Sequence, residues 1–246
     1  MNVHYSKELQ HAFVVGLADL KKIVELLQKR IGKVEINAGC ADDLSREFKT
    51  LKELITYENP KPKEIRSIHL RARSDNYSKS TTVVFRKSSR FSSGISIDAN
   101  GREDVISRLK EEILDIIGGM RPWYGVMHRV NFFYIFLISW FILLTIRILS
   151  YISALALKFK WVPVSEKLTS LAALPRGWLV ILSILLLVLG IFSNKLRDFF
   201  FPPAVFMIGQ GESRYKRKEQ FQWVVIVGFG VSLAASLVVP VITIIF

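Results

Sequence analysis

The sequence holds a single cysteine, Cys40, and four histidines, His4, His11, His69 and His128, none at a spacing that gathers metal ligands. An internal disulfide framework is excluded, and so is a zinc or iron–sulfur site built from several cysteines. No metal and no cofactor are expected. A Cys40 nucleophile would need a histidine delivered by the fold. Asp42 and Asp43 beside it would raise its pKa, so Cys40 reads as a small buried hydrophobe at a strand end. Gly209-Gln210-Gly211 opens like a dinucleotide fingerprint but lacks the third glycine and a βαβ setting, and reads as a flexible turn. No catalytic residue is assigned, and an enzyme is not expected.

Acidic residues are scarce in the second half. Of 21 in the chain, only Glu166, Asp198, Glu212 and Glu219 follow His128. Two differently solvated regions therefore share one chain of net charge +13. Lys and Arg flanking apolar segments are what membrane topology demands, so the basic excess does not by itself point to nucleic acid. Residues Met1 to Gln10 show neither an apolar core nor a small-residue cleavage site, so no removed signal peptide is expected.

What is present divides into a soluble domain over 1–120, a juxtamembrane hinge over 121–130 and a transmembrane region over 131–246. In the first, Leu9, Phe13, Leu17, Leu20, Val24, Leu27 and Ile31 recur at helical spacing, predicting a helix capped by Ser6 and stopped by Gly32. A hairpin follows from Lys33–Ala38 and Ser45–Phe48, then a short helix with the capping-box spacing Thr50 and Glu53, closed by Asn59 and Pro60. Three strand-like runs, Glu64–Arg73, Thr81–Lys87 and Gly94–Asp98, precede a helix that Asp104 caps. The predicted fold class is an α+β cytosolic domain of order α-ββ-α-βββ-α, an antiparallel sheet with helices over one face. At this length it is expected to build its core without the second half.

An all-α transmembrane region of about three helices follows, with spans at about 132–157, 177–193 and 223–246 and an intracellular loop over 194–222. Ser165 to Leu174 reads as an interfacial segment. Phe199 to Ile208, apolar with Pro202 and Pro203, is too short to span and is expected in the inner interface or partly re-entrant. Basic residues favour the loop 194–222 and the approach to the first span over Lys158, Lys160, Lys167 and Arg176. That bias predicts a plasma-membrane or bacterial inner-membrane protein with its N-terminal domain cytoplasmic and its C-terminus at the outer face.

Alternation puts His69, Arg71 and Arg73 on one strand face with Arg86 on the next strand, a candidate ligand- or partner-binding set. Arg147, Gly209, Gly211, Arg214, Lys216, Arg217 and Lys218 are candidates for coupling to the membrane and to anionic lipid headgroups. Gly228, Ser232 and Ser236 form a small-xxx-small face for helix packing. The expected partners are the bilayer and either further copies of the chain or a soluble protein. Nucleic acid is not favoured, because the basic face has no aromatic platforms. The expected function is a multi-pass protein whose cytosolic domain senses a ligand or partner and controls a small, pore-forming or otherwise membrane-active module. The alternative is a membrane-anchored scaffold or adaptor that recruits a soluble partner.

Overall fold

A computed structural model describes residues 1–87, 94–158 and 176–245. The chain forms two compact units, Met1–Val126 with Pro202–Phe246, and Met127–Phe201.

The first unit holds the α+β domain. Its elements are β1 (Asn2–Leu9), β2 (Phe13–Gly16), α1 (Leu17–Arg30), β3 (Lys33–Cys40), β4 (Ser45–Phe48), α2 (Leu51–Thr56), β5 (Ile65–Arg73), β6 (Ser80–Arg86), β7 (Gly94–Arg102) and α3 (Glu103–Gly119). Six strands form one sheet in the order β1-β7-β6-β5-β3-β4, antiparallel throughout. Ile68, Leu70 and Ala72 of β5, with Val83 and Phe85 of β6, are buried on one face. Leu20, Ile23, Val24 and Leu27 of α1, and Ile106, Leu109, Ile113 and Ile117 of α3, cover that face, burying two helical stripes against a period-two surface. An Arg30–Glu112 ion pair at 2.5 Å ties the two helices together.

The long first helix expected from Ser6 is corrected to two strands and a shorter helix. Leu9 and Phe13 fall at helical spacing by coincidence. Val3, Tyr5 and Leu9 also fit a period of two, and β1 pairs along its whole length with β7, from Asn2↔Arg102 to Leu9↔Ile95. Long-range pairing overrides the local pattern. The observed order is thus ββ-α-ββ-α-βββ-α. Two smaller features follow the sequence: Thr50 Oγ1 accepts the Glu53 amide at the start of α2, and Cys40 is buried at the end of β3. Asp104 does not cap α3. Arg102 stands at the cap, and Asp104 lies in the first turn, paired with it at 3.0 Å.

The domain does not close on residues 1–120 alone. Ala204, Phe206 and Ile208 join its core, brought there by β8 (Ala204–Met207), which pairs in parallel with β2 from Phe13↔Ala204 to Gly16↔Met207. Phe13 packs edge-on against both Phe85 and Phe206, at 5.8 and 6.0 Å between ring centres. The expected interfacial or re-entrant placement of Phe199 to Ile208 is therefore corrected over its second half. Residues 204, 206 and 208 alternate inward, and a core is a sufficient apolar destination. From β8 the chain enters a 36-residue helix, Gln210–Ile245, called α6 below.

The second unit contains α4 (Phe132–Lys158) and α5 (Arg176–Phe200). Phe132 at the start of α4 stacks on Phe201 just past α5, at 6.4 Å, and Gly190 of α5 lies against Phe136 of α4. The start of one helix beside the end of the other makes an antiparallel hairpin. Among the described residues one stretch, Phe132–Leu149, is long and apolar enough to cross a membrane, with a mean hydropathy of 2.3 and none of it buried. The expected interfacial segment Ser165 to Leu174 lies outside the described residues.

Candidate functional site

Basic side chains gather at two places in the first unit. One is the sheet face opposite the helices. The register pairs Arg86 with Ser67, and Arg71 and Arg73 with Thr82 and Ser80, so His69, Arg71, Arg73 and Arg86 share that face as expected. The neighbouring strand adds Lys33, Glu35 and Asn37 opposite Arg73, Arg71 and His69, and Asp98 stands across from Thr82. Acids are thus interleaved with the bases. Partial burial, reinforced by Arg86 and Arg71, holds the His69 imidazole below its usual pKa. The result is a mixed-charge, half-exposed surface.

The other place is a concave cleft of about 170 Å³, lined by Lys61, Glu64 and Lys87 on one side and by Pro202, Ala204, Val205, Phe206, Gly211, Arg214, Tyr215 and Lys218 on the other. Its first wall comes from the turn before β5 and from the end of β6. Its second wall is β8 and the first two turns of α6. Residues 211, 214, 215 and 218 follow the three- and four-residue spacing that aligns side chains on one helix face. The predicted cluster on α6 therefore divides. Arg214 and Lys218 line the cleft, while Lys216 and Arg217 are exposed, with Lys216 paired to Glu212 at 2.7 Å.

The turn between β8 and α6 is held by backbone packing and is not loose. Gly209 has φ +50°, and a Cβ there would sit 2.5 Å from the carbonyl oxygens of Tyr57 and Glu58. A Cβ on Gly211 would collide with the Phe206 carbonyl and lie 2.8 Å from Asn59 Nδ2. Both positions need glycine because two segments of backbone approach closely.

Against Gly211 stands Asn59. Its side chain is fully buried, its φ is +52°, and it bonds both halves of the chain: Nδ2 donates to the Ile208 carbonyl at 3.1 Å, and Oδ1 accepts the Ile65 amide at 2.9 Å. Gln210 N donates to the Glu58 carbonyl at 2.7 Å, and Arg214 Nη1 donates to the Asn59 carbonyl at 2.9 Å. Sequence reading gave Asn59 only the role of ending a helix. The signal available was a lone Asn-Pro after a short helix, which says nothing of a contact some 150 residues away.

Charge in the cleft is lopsided. Its lining carries four cationic side chains, Lys61, Lys87, Arg214 and Lys218, and one carboxylate, Glu64, which pairs with Lys87 at 3.2 Å. Arg214 Nη2 is buried and makes no hydrogen bond among the described residues. Below the cleft, the Tyr124 hydroxyl donates to the Pro202 carbonyl at 3.2 Å. Burial, with Tyr215 beside it, pushes the Tyr124 phenol well above its usual range, and burial and Glu219 raise Tyr215 as well. Trp123 stacks on Trp223 at 5.3 Å, so the exit of the domain and the start of the last apolar stretch lie side by side.

The remaining predicted residues lie elsewhere. Arg147 is exposed on α4, in the second unit. Gly228, Ser232 and Ser236 are on α6, where the Ser232 hydroxyl donates back to the Gly228 carbonyl at 2.8 Å. Compared with models of protein families, with curated proteins and with solved structures, the chain matches none.

Proposed function

We propose that the chain is a multi-pass membrane protein in which the α+β domain senses a ligand or partner and transmits its state to a helical membrane module through the root of α6. The observation that carries this reading is the continuity of α6. Its first turns are built into the domain by Asn59, Gln210 and Arg214, and the same uninterrupted helix continues into the apolar stretch that begins at Trp223. A continuous helix carries displacement of its base into its following turns, so a change in the cleft bears on the apolar stretch that begins at Trp223.

Three crossings fit the same geometry. Pairing of β2 with β8 requires Phe13 and Ala204 to lie on one side of any membrane. An antiparallel hairpin of α4 and α5 that crosses twice returns the chain to that side, and α6 then makes the third crossing. Large exposed apolar side chains, Ile138, Phe141 and Ile142 on α4, Ile184 and Ile191 on α5, and Val224, Val227 and Phe229 on α6, support lipid as their surroundings. The excess of basic residues near 121–129 and 194–222 supports the cytoplasm as the side of the domain.

The test is permeability. Liposomes carrying the full chain and an entrapped dye are compared with liposomes carrying Asn59→Gly/Arg214→Ala, which loosens the root and leaves every apolar residue in place. A change in leakage rate of severalfold between the two is expected. Equal leakage, at the rate of empty vesicles, would leave the spans as an anchor and favour the scaffold reading, with the mixed-charge sheet face as the docking surface.

A further inference from the structure

Resting on that reading, we propose that the cleft at the root of α6 binds a terminal phosphate group, presented by a phosphorylated lipid headgroup or by a soluble phosphate monoester. Four cationic side chains, Lys61, Lys87, Arg214 and Lys218, converge on a concavity that contains one carboxylate, Glu64, already paired with Lys87. Converging ammonium and guanidinium donors match a tetrahedral oxyanion, which accepts several charge-assisted hydrogen bonds at once. The volume, about 170 Å³, is on the order of five or six waters at about 30 Å³ each, enough for a phosphate and part of the group it is attached to. Arg214 supplies the most specific feature. One of its terminal nitrogens is committed to the Asn59 carbonyl, and the other is buried with no hydrogen-bonding partner among the described residues, a costly state for a charged donor. A phosphate oxygen in the cleft removes that cost.

The height of the cleft suits a lipid source. Lys218 precedes Trp223 by five residues and Arg214 by nine, or about 7 Å and 13 Å of helix rise. With Trp123 and Trp223 stacked at the boundary and a headgroup layer roughly 5–8 Å thick on each side of the hydrocarbon, Lys218 stands at the outer edge of that layer and Arg214 beyond it, where a phosphate that projects from a headgroup reaches both. A soluble phosphoester would reach the same groups from the aqueous side. In either case the ligand bridges the turn before β5 to α6, the contact by which the domain holds its membrane helix.

The experiment uses the full chain in two arms. In detergent, the thermal midpoint is measured against inorganic pyrophosphate. In nanodiscs, it is measured in phosphatidylcholine with and without a few per cent of phosphatidylinositol 4-phosphate, with phosphatidylserine as a control for charge alone. Each arm is repeated with Lys61→Gln/Lys218→Gln, which alters lining lysines and not the Asn59 network, and with Arg71→Gln/Arg73→Gln on the sheet face. A rise in the midpoint is expected with pyrophosphate or with the phosphoinositide, identifying a soluble or a lipid source respectively. Lys61→Gln/Lys218→Gln should weaken the apparent affinity on the order of tenfold or more, while the sheet-face variant keeps it. A response equal in wild type and the lining variant, a response to phosphatidylserine as large as to the phosphoinositide, or no response in either arm would overturn the site. Binding is read without permeability. Binding with unchanged leakage sinks the coupling and keeps the site, whereas altered leakage in the root variant without binding does the reverse.

Discussion

Asn59 concentrates several costs in one residue. It is fully buried, adopts the left-handed region, and joins β5 to the strand before α6 with both ends of its amide. Asn59→Ala leaves the buried Ile65 amide without its acceptor, takes one of two donors from the Ile208 carbonyl, which keeps the Gly211 amide, and adds left-handed strain, an expected loss of about 2–4 kcal/mol in chemical denaturation. Asn59→Gly removes the strain but not the lost bonds, and should recover about 1 kcal/mol of that loss. Equal stability of all three proteins would contradict the network. His69 provides a pH signature. Its pKa lies below 6.5 in the folded protein because of burial and of Arg86 and Arg71, so the unfolded chain takes up the proton first on acidification. The associated stability is present above pH 6.5 and is lost as pH falls through the folded midpoint. In an NMR titration His69 should show a midpoint below 6.5 that moves part of the way back in Arg86→Ala. A midpoint at or above 6.5 in the wild type would be inconsistent with the crowded face.

Among the elements, β8 is the one whose role is least local. Phe206 comes from the second half of the chain yet is 5% exposed in the core of the first, edge-on to Phe13. Phe206→Ala should therefore destabilise the α+β domain by about 3–5 kcal/mol in denaturant, as a core Phe does, whereas Phe229→Ala on the exposed apolar part of α6 should not. The contrast shows what the sequence could reveal. Strands β3 to β7 and helices α2 and α3 were legible because alternation, turn residues and a capping Thr are local signals. The first helix was over-extended because Leu9 and Phe13 satisfy two periods at once, and only pairing with β7 decides between them. β8 is indistinguishable in sequence from a membrane-seeking segment, because four alternating residues after two prolines look apolar in either setting. Of the candidate site, the shared face of His69, Arg71, Arg73 and Arg86 followed from alternation. Arg214 and Lys218 were found as part of a charge cluster, but their division from Lys216 and Arg217 needed the helix phase. Lys61 and Lys87 joined only through tertiary contact.

At the scale of the whole molecule, the pairing of β2 with β8 makes the domain discontinuous. Residues 127–201 are an insertion between two parts of one core, and the last helix grows from the second part. Under the proposed function, sensing and membrane action would meet at a single junction, the seat of the β8–α6 turn against Tyr57–Asn59. The most direct test of this arrangement is a cross-link in native membranes. Val14 and Val205 are register partners on neighbouring strands, and both are partly exposed. Adjacent strands lie about 4.8 Å apart, within the span a disulfide bridges. In a Cys40→Ser background, Val14→Cys/Val205→Cys should form an intramolecular disulfide under mild oxidation, shifting the mobility of the monomer on a non-reducing gel. Two free thiols under the same oxidation, with the protein folded and inserted, would contradict a last helix rooted in the N-terminal domain.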